Sequence, residues 1–272
     1  MTPSRRMSLN KNHPVPLYFQ LAEHIRQQIQ AGEYLPGDQI PSERELSEQA
    51  GISRMTVRQA VSYLAQEGTL EVKAGIGTFV ARPKLVHDSI NTLGFSEEMM
   101  RQGAEVTSRV LEQVEVIPPP HIAAFLAMAP QDTAVKIVRL RLGDGLPLLL
   151  ETSYLPAALC PELAEQDLRD GSLYQLLEDV YDLTPKCSRQ TVEAAIANEY
   201  EADLFDLDPD ASMAMILLEG ITYSEDDQPF EHFRALYRGD RIKIQLVSQG
   251  CQSPAGELET EPAARRVTLL ME

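Results

Sequence analysis

The chain has 272 residues, 43% hydrophobic and 24% charged, with 24 Lys+Arg against 41 Asp+Glu for a formal net charge of -17. These proportions exclude a wholly disordered or fibrous chain, and no apolar run approaches the roughly 18 residues of a spanning helix. No apolar core of a secretory signal follows Arg5, Arg6 and Lys11. The three cysteines (Cys160, Cys187 and Cys251) are too dispersed for a disulfide framework or a zinc site, so a reducing cytoplasm is expected.

Charge divides the chain. Residues 1–84 carry 10 Lys+Arg and 8 Asp+Glu; the remainder carries 14 and 33. A strongly acidic body repels nucleic acid, while a near-neutral head can still gather positive charge on one face. Composition alone favours a solvated acidic enzyme with an unremarkable N-terminus, and the motifs must overturn that reading.

Pro14 and Pro16 precede an amphipathic run from Leu17 to Ala31, with Leu21, Ile25 and Ile29 spaced i, i+4, i+8. Gly32 and Pro36-Gly37 end it. Ser42 and Glu45 form an S-x-x-E capping box, predicting a second helix from Ser42 that closes at Gly51. Ser53 is the N-cap candidate of a third helix to about Glu67, with Val57, Ala60, Val61 and Leu64 as its apolar stripe and Gly68 as its stop. Two short helices joined by a glycine turn read as a helix-turn-helix. Then Leu70 to Val80 reads as a hairpin with a glycine-rich tip at Gly75-Ile76-Gly77, a wing whose backbone can enter a narrow groove. Arg54 and Arg58 are i, i+4 at the start of the third helix with Thr56 between them, and Arg44 sits on the second. Such an N-terminus can set arginines on guanine and N–H groups on phosphate.

Pro16-Leu17-Tyr18, Gly32-Glu33-Tyr34, Pro36-Gly37, Pro41 to Leu46, Ile52 to Arg58 and Gly75 to Val80 together resemble the winged helix-turn-helix of GntR-family bacterial transcription regulators, over about residues 14–82. The resemblance implies operator contact by Arg44, Ser53, Arg54, Thr56 and Arg58, with Gly75 and Gly77 at the wing, and a homodimer on a short palindromic duplex. Met55 stands where some members carry a small polar residue.

Residues 83–92 read as a linker. Ser96 is an N-cap candidate for a helix stopped at Gly103, followed by strand-like alternation through Val110, Val114 and Val116 and a short helix opened by Pro118-Pro119-Pro120. Val135–Leu142 and Leu148–Leu155 make a hairpin turning at Gly143-Asp144-Gly145, with Arg139 and Arg141 on one face and Glu151 and Ser153 sharing a face on the return strand. A helix is expected over Ser172–Tyr181, a strand over 189–197, a helix over 199–207, and strands over 213–224, 229–237 and 241–247. The stretch 249–272 reads as a tail open to disorder. This order gives an antiparallel α+β domain. Phe95 to Met99, the Arg139-x-Arg141 strand, Asp144-Gly145-x-Pro147, Glu151, Ser153 to Pro156, Ser172-Leu173-Tyr174 and Tyr237 to Arg241 resemble the UTRA effector domain of the HutC subfamily of GntR regulators. That fold is like chorismate lyase, and the resemblance spans about residues 93–248.

The expected architecture is therefore α+β: a winged helix-turn-helix joined to a chorismate-lyase-like antiparallel-sheet UTRA domain. The expected function is a DNA-binding repressor released by a small anionic metabolite. The resemblance and the residue types place Phe95, Ser96, Arg139, Arg141, Glu151, Ser172, Tyr174, Glu231 and Tyr237 at the effector site. Arg139 and Ser96 would hold the anion with Ser172 and Arg141 nearby, Glu151 and Glu231 would accept hydrogen bonds from hydroxyl or amino groups, and Tyr174 and Tyr237 would close the pocket. A sugar phosphate, such as an amino-sugar phosphate, is the first choice and a carboxylate such as an imidazole-acid catabolite the second. The plainer reading pairs Arg139 and Arg141 with Glu151 and Glu231 across the sheet. Two other classes stand beside this one: a lyase-like enzyme with a DNA-binding head, and a C-terminal half that only dimerises. No nucleophile–base pair, G-x-S-x-G, P-loop or metal-ligand motif is present, the five histidines are scattered, and no cofactor is expected.

Overall fold

The computed structural model describes residues 9–11, 13–73, 75–88, 95–169, 171–207 and 213–245. They form two compact units. One runs through Lys84 and includes Gly239–Arg241; the other holds Leu85–Arg238 and the chain from Ile242.

In the first unit, α1 (Leu17–Gln30) buries Leu21, Ala22 and Ile25. Helix α2 (Glu43–Ala50) starts at the expected capping box: the Ser42 hydroxyl accepts from the Glu45 amide while the Glu45 carboxylate accepts from the Ser42 amide. Gly51 ends it in the left-handed region. Helix α3 (Arg54–Gln66) is capped by Ser53, whose hydroxyl accepts from the Thr56 amide at 3.2 Å. Val57, Ala60, Val61 and Leu64 of α3 pack with Leu21, Ile25 and Leu46, and each large apolar side chain so buried contributes about 1.5–3 kcal/mol. Strands β1 (Leu70–Lys73) and β2 (Gly77–Val80) form the wing, pairing Leu70 with Val80 and Lys73 with Gly77.

The second unit is built on one sheet. Its strands are β4 (Val106–Val116), β5 (Ala134–Gly143), β6 (Leu146–Pro156), β7 (Pro185–Ile196), β8 (Ala214–Ser224) and β9 (Pro229–Arg238). Their order is β4-β5-β6-β9-β8-β7 and every neighbouring pair is antiparallel. The β5–β6 turn is tighter than its three-residue sequence signal. Gly143 pairs with Leu146, and only Asp144 (φ 51°) and Gly145 (φ 78°) lie between, both left-handed as a type I′ turn requires.

Helices cover both faces. On one, α4 (Phe95–Arg101) packs Phe95 and Met99 against Leu149, Leu218 and Ala235. On that same face α6 (Leu173–Tyr181) packs Leu173 and Leu177 against Val135, Ile137 and Leu155. On the other, Phe205 at the end of α7 (Glu199–Leu204) packs on Leu140, Leu150, Met215 and Leu236, and Phe125 of α5 (Pro120–Phe125) stacks on His232.

Three expectations change. Part of the proposed linker is a strand: β3 (Leu85–Asp88) pairs in parallel with β10 (Ile242–Gln245). So β10 does not extend the antiparallel sheet. A four-residue strand paired with a partner so remote in sequence leaves no local signature. Ser96 is no N-cap; it lies inside α4, where its hydroxyl turns to Arg141. Residues 89–92, the tail 249–272 and Cys251 lie outside the described residues.

Candidate functional site

Two sites follow, one in each unit. In the first unit, α2 exposes Arg44 and α3 exposes Arg54 and Arg58, while Thr56 is half-buried and joins its hydroxyl to Ser53 at 2.8 Å. Ser53 is thereby committed to capping α3. Among the described residues Arg44 and Arg54 make no hydrogen bond or ion pair, whereas Arg58 is held by Glu43. At the wing tip a Cβ on Gly75 would meet nothing within 4 Å, so it is the left-handed φ of 72° that favours glycine there. Gly77 differs: a Cβ would strike the Gln39 side chain, which donates to the Ile76 carbonyl at 3.3 Å and braces the wing.

The second site is a cavity between α4 and α6 on the sheet face they share. Strand alternation aims Arg139 and Arg141 of β5, Glu151 and Ser153 of β6, Thr222 of β8, and Glu231, Phe233 and Tyr237 of β9 into it. Eight of the nine expected effector residues line it: Phe95, Arg139, Arg141, Glu151, Ser172, Tyr174, Glu231 and Tyr237. The ninth, Ser96, reaches it through the hydroxyl bound to Arg141 Nη2.

The cavity has two polar centres. At the first, Glu151 lies opposite Arg139 in the β5–β6 register, pairs with its Nη2, and accepts from Arg141 Nη1 at 3.0 Å. Burial pushes the Glu151 carboxyl up, but the guanidiniums of Arg139 and Arg141 outweigh it and hold the group below the usual carboxylate range. Both arginines are 2% exposed, and the Nε of each is buried without a hydrogen-bond partner. Arg139 Nη1 reaches the Gly171 carbonyl at 3.4 Å, beside the α6 cap Ser172; the Arg141 guanidinium lies 5.3 Å from the Phe95 ring centre. Two cations thus share one carboxylate, next to hydroxyls and the amino end of α6.

At the second centre, three hydroxyls donate to Glu231. Its Oε1 accepts from Ser153 at 2.7 Å, and its Oε2 from Tyr174 at 2.7 Å and Thr222 at 2.9 Å. Burial raises its pKa, and Glu151 adds to the rise against the pull of the three hydroxyls. Tyr174, half-buried with its hydroxyl facing Glu231, stays protonated far above its ordinary value and acts as a donor. The plainer reading, in which Glu231 pairs with an arginine, is not what the described residues show: its partners are three hydroxyls of the chain.

Ser153 and Thr222 of this network, together with His87, Ser188, Gln190 and Phe233 of the cavity wall, were absent from the expected set. Thr222 could have been found from the alternation of β8 once its register with β9 was known. His87 carries no spacing signal; it arrives through β3, stacks on Tyr237 with ring centres 5.1 Å apart, and lies 3.2 Å from the Tyr237 hydroxyl.

A winged helix-turn-helix on a separate core, beside a sheet unit with a buried polar cavity, defines a DNA-binding regulator with a sensory domain. Residues 17–80 match the family described as "Bacterial regulatory proteins, gntR family", and residues 101–243 match the UTRA domain. The chain belongs to the GntR family of bacterial transcription regulators, in its UTRA-bearing, HutC-like branch. It is 36% identical to the HTH-type transcriptional repressor NagR of Bacillus subtilis, over 86% of this chain and 96% of that one. It is 32% identical to the mannosyl-D-glycerate transport/metabolism system repressor MngR of Escherichia coli, over 86% and 96%. The crystal structure of PhnF from Mycobacterium smegmatis superposes with a TM-score of 0.60 at 29% identity, covering 85% of this chain and 99% of that one. The protein is a transcription regulator. Among the described residues no helix is long and apolar enough to cross a membrane.

Proposed function

We propose that the protein is a homodimeric repressor that binds a palindromic operator and is released from it by a small anionic metabolite, a sugar phosphate first. The observation that carries this is the buried guanidinium pair: Arg139 and Arg141 share the carboxylate of Glu151 and keep unpartnered Nε atoms. A buried guanidinium with an idle N–H costs stability that an anion accepting charge-assisted bonds returns. Ser172 at the α6 cap and the half-buried Tyr174 suit a phosphate or carboxylate flanked by hydroxyls. A carboxylate remains the second choice: the printed name of the E. coli relative carries a glycerate, which is a carboxylate. Arg44, Arg54, Thr56, Arg58 and the Gly75 wing tip are the proposed operator contacts. Release is a population shift in which the ligand binds the non-operator state more tightly.

A thermal-shift screen of phosphorylated sugars and small carboxylates tests the reading. A compound that raises the melting temperature and then frees the protein from its own promoter duplex is the expected result. If no anion does either, the sensory role is wrong; if no duplex is bound even at low salt, the regulatory role is.

A further inference from the structure

Arg58 is placed differently from the other exposed arginines of the head. Its Nε and Nη2 donate to the two carboxylate oxygens of Glu43 at 3.1 and 3.0 Å, a bidentate grip along one edge of the guanidinium. Glu43 is itself well fixed. It is the first residue of α2, inside the Ser42–Glu45 capping box, where the positive helix end favours its charge.

A guanidinium has five N–H groups and two forks of parallel donors: the edge made by Nε with Nη2, and the end made by Nη1 with Nη2. Guanine O6 and N7 accept one such fork. Glu43 takes the edge, so only the end remains.

We propose that Glu43 is a specificity-determining positioning residue of the DNA-reading surface, fixing Arg58 so that it meets a base end-on through Nη1 and the outer N–H of Nη2. This rests on the proposal that Arg58 faces duplex DNA. It has two consequences of opposite sign. The pair is neutral as a unit, so Arg58 adds little to sequence-independent attraction to phosphates. The same clamp limits the rotamers from which Arg58 reads, which sharpens its choice of base. Removing Glu43 therefore frees a positive charge and loosens the reading together.

The experiment presents a pool of random duplexes to the full-length protein, Glu43→Gln, Glu43→Ala and Arg58→Ala, and sequences what each retains. Arg58→Ala should erase the preference at one base pair of each half-site. Glu43→Ala should weaken preference at that same base pair by about tenfold, the order of one bidentate contact, while its affinity for bulk duplex rises several-fold. Glu43→Gln keeps the shape and one acceptor, and should fall between. A preference unchanged in both Glu43 variants overturns the proposal. So does an even loss across all positions, the mark of a merely structural role in α2. A wild-type protein that selects no motif instead overturns the DNA-binding reading on which the proposal stands.

Discussion

Arg139 and Arg141 bind Glu151 from two sides, and what each can offer a ligand depends on the fork geometry of arginine rather than on charge alone. Arg139→Lys keeps the charge and loses the fork. Affinity for the effector should fall at least tenfold by calorimetric titration, with affinity for operator DNA unchanged; an unaltered titration removes Arg139 from the anion site. Glu231 makes a prediction about pH. Burial raises its folded pKa above the unfolded value, so the folded state holds the proton more tightly. The stability this gives is complete below the unfolded pKa and is lost as pH rises through the folded one. Glu231→Gln has no proton to lose. The melting temperature of Glu231→Gln relative to wild type should rise between pH 4 and pH 7.5, and a difference independent of pH would contradict the raised pKa of Glu231. Glu151 acts in the opposite sense. Held below its usual value by two guanidiniums, it contributes stability at neutral pH that is lost as pH falls through its folded pKa.

Among the elements, β7 and β8 approach so closely that a Cβ on Gly220 would lie 2.5 Å from the Arg189 carbonyl oxygen and 2.7 Å from the Gln190 Cβ. Gly220→Ala must push the backbone of β7 aside, and Gln190 on that strand lines the cavity. Denaturant unfolding should show a loss of about 1–3 kcal/mol, accompanied by weaker effector binding. Helices with a capping box or a clear stripe, such as α2 and α3, were legible because the signal lies within four or five residues of the structure it causes. The β5–β6 hairpin was legible for the same reason, and with it Arg139, Arg141 and Glu151, whose shared face follows from alternation. What was not legible depends on distant partners. The β3 strand inside the supposed linker needs β10, the turn of Ser96 toward Arg141 needs α4 seated on β5, and the three hydroxyls around Glu231 come from β6, α6 and β8. No local pattern tells that Glu231, which lines the cavity, also accepts from Ser153, Tyr174 and Thr222.

For the molecule as a whole, the charge division has a measurable result. The head must attract a polyanion while the chain carries a net charge of -17, so operator binding should fall steeply with salt, each phosphate contact adding about 0.9 to the slope of log affinity against log salt. Because the head and the sheet unit have separate cores, Arg54→Ala should weaken operator binding in mobility shifts yet leave the ligand-induced rise in melting temperature intact. Simultaneous loss of both would mean that the two functions are not carried by separate residues. The pairing of β3 with β10 reaches further. It sets the strand where the polypeptide enters this unit beside one made more than a hundred residues later, and this clasp can snap shut only after everything between has been synthesised. A nascent chain therefore has the three helices and the wing of its head made long before the strand that follows them is secured, and a ribosome-bound or truncated product would carry a reader that nothing yet governs.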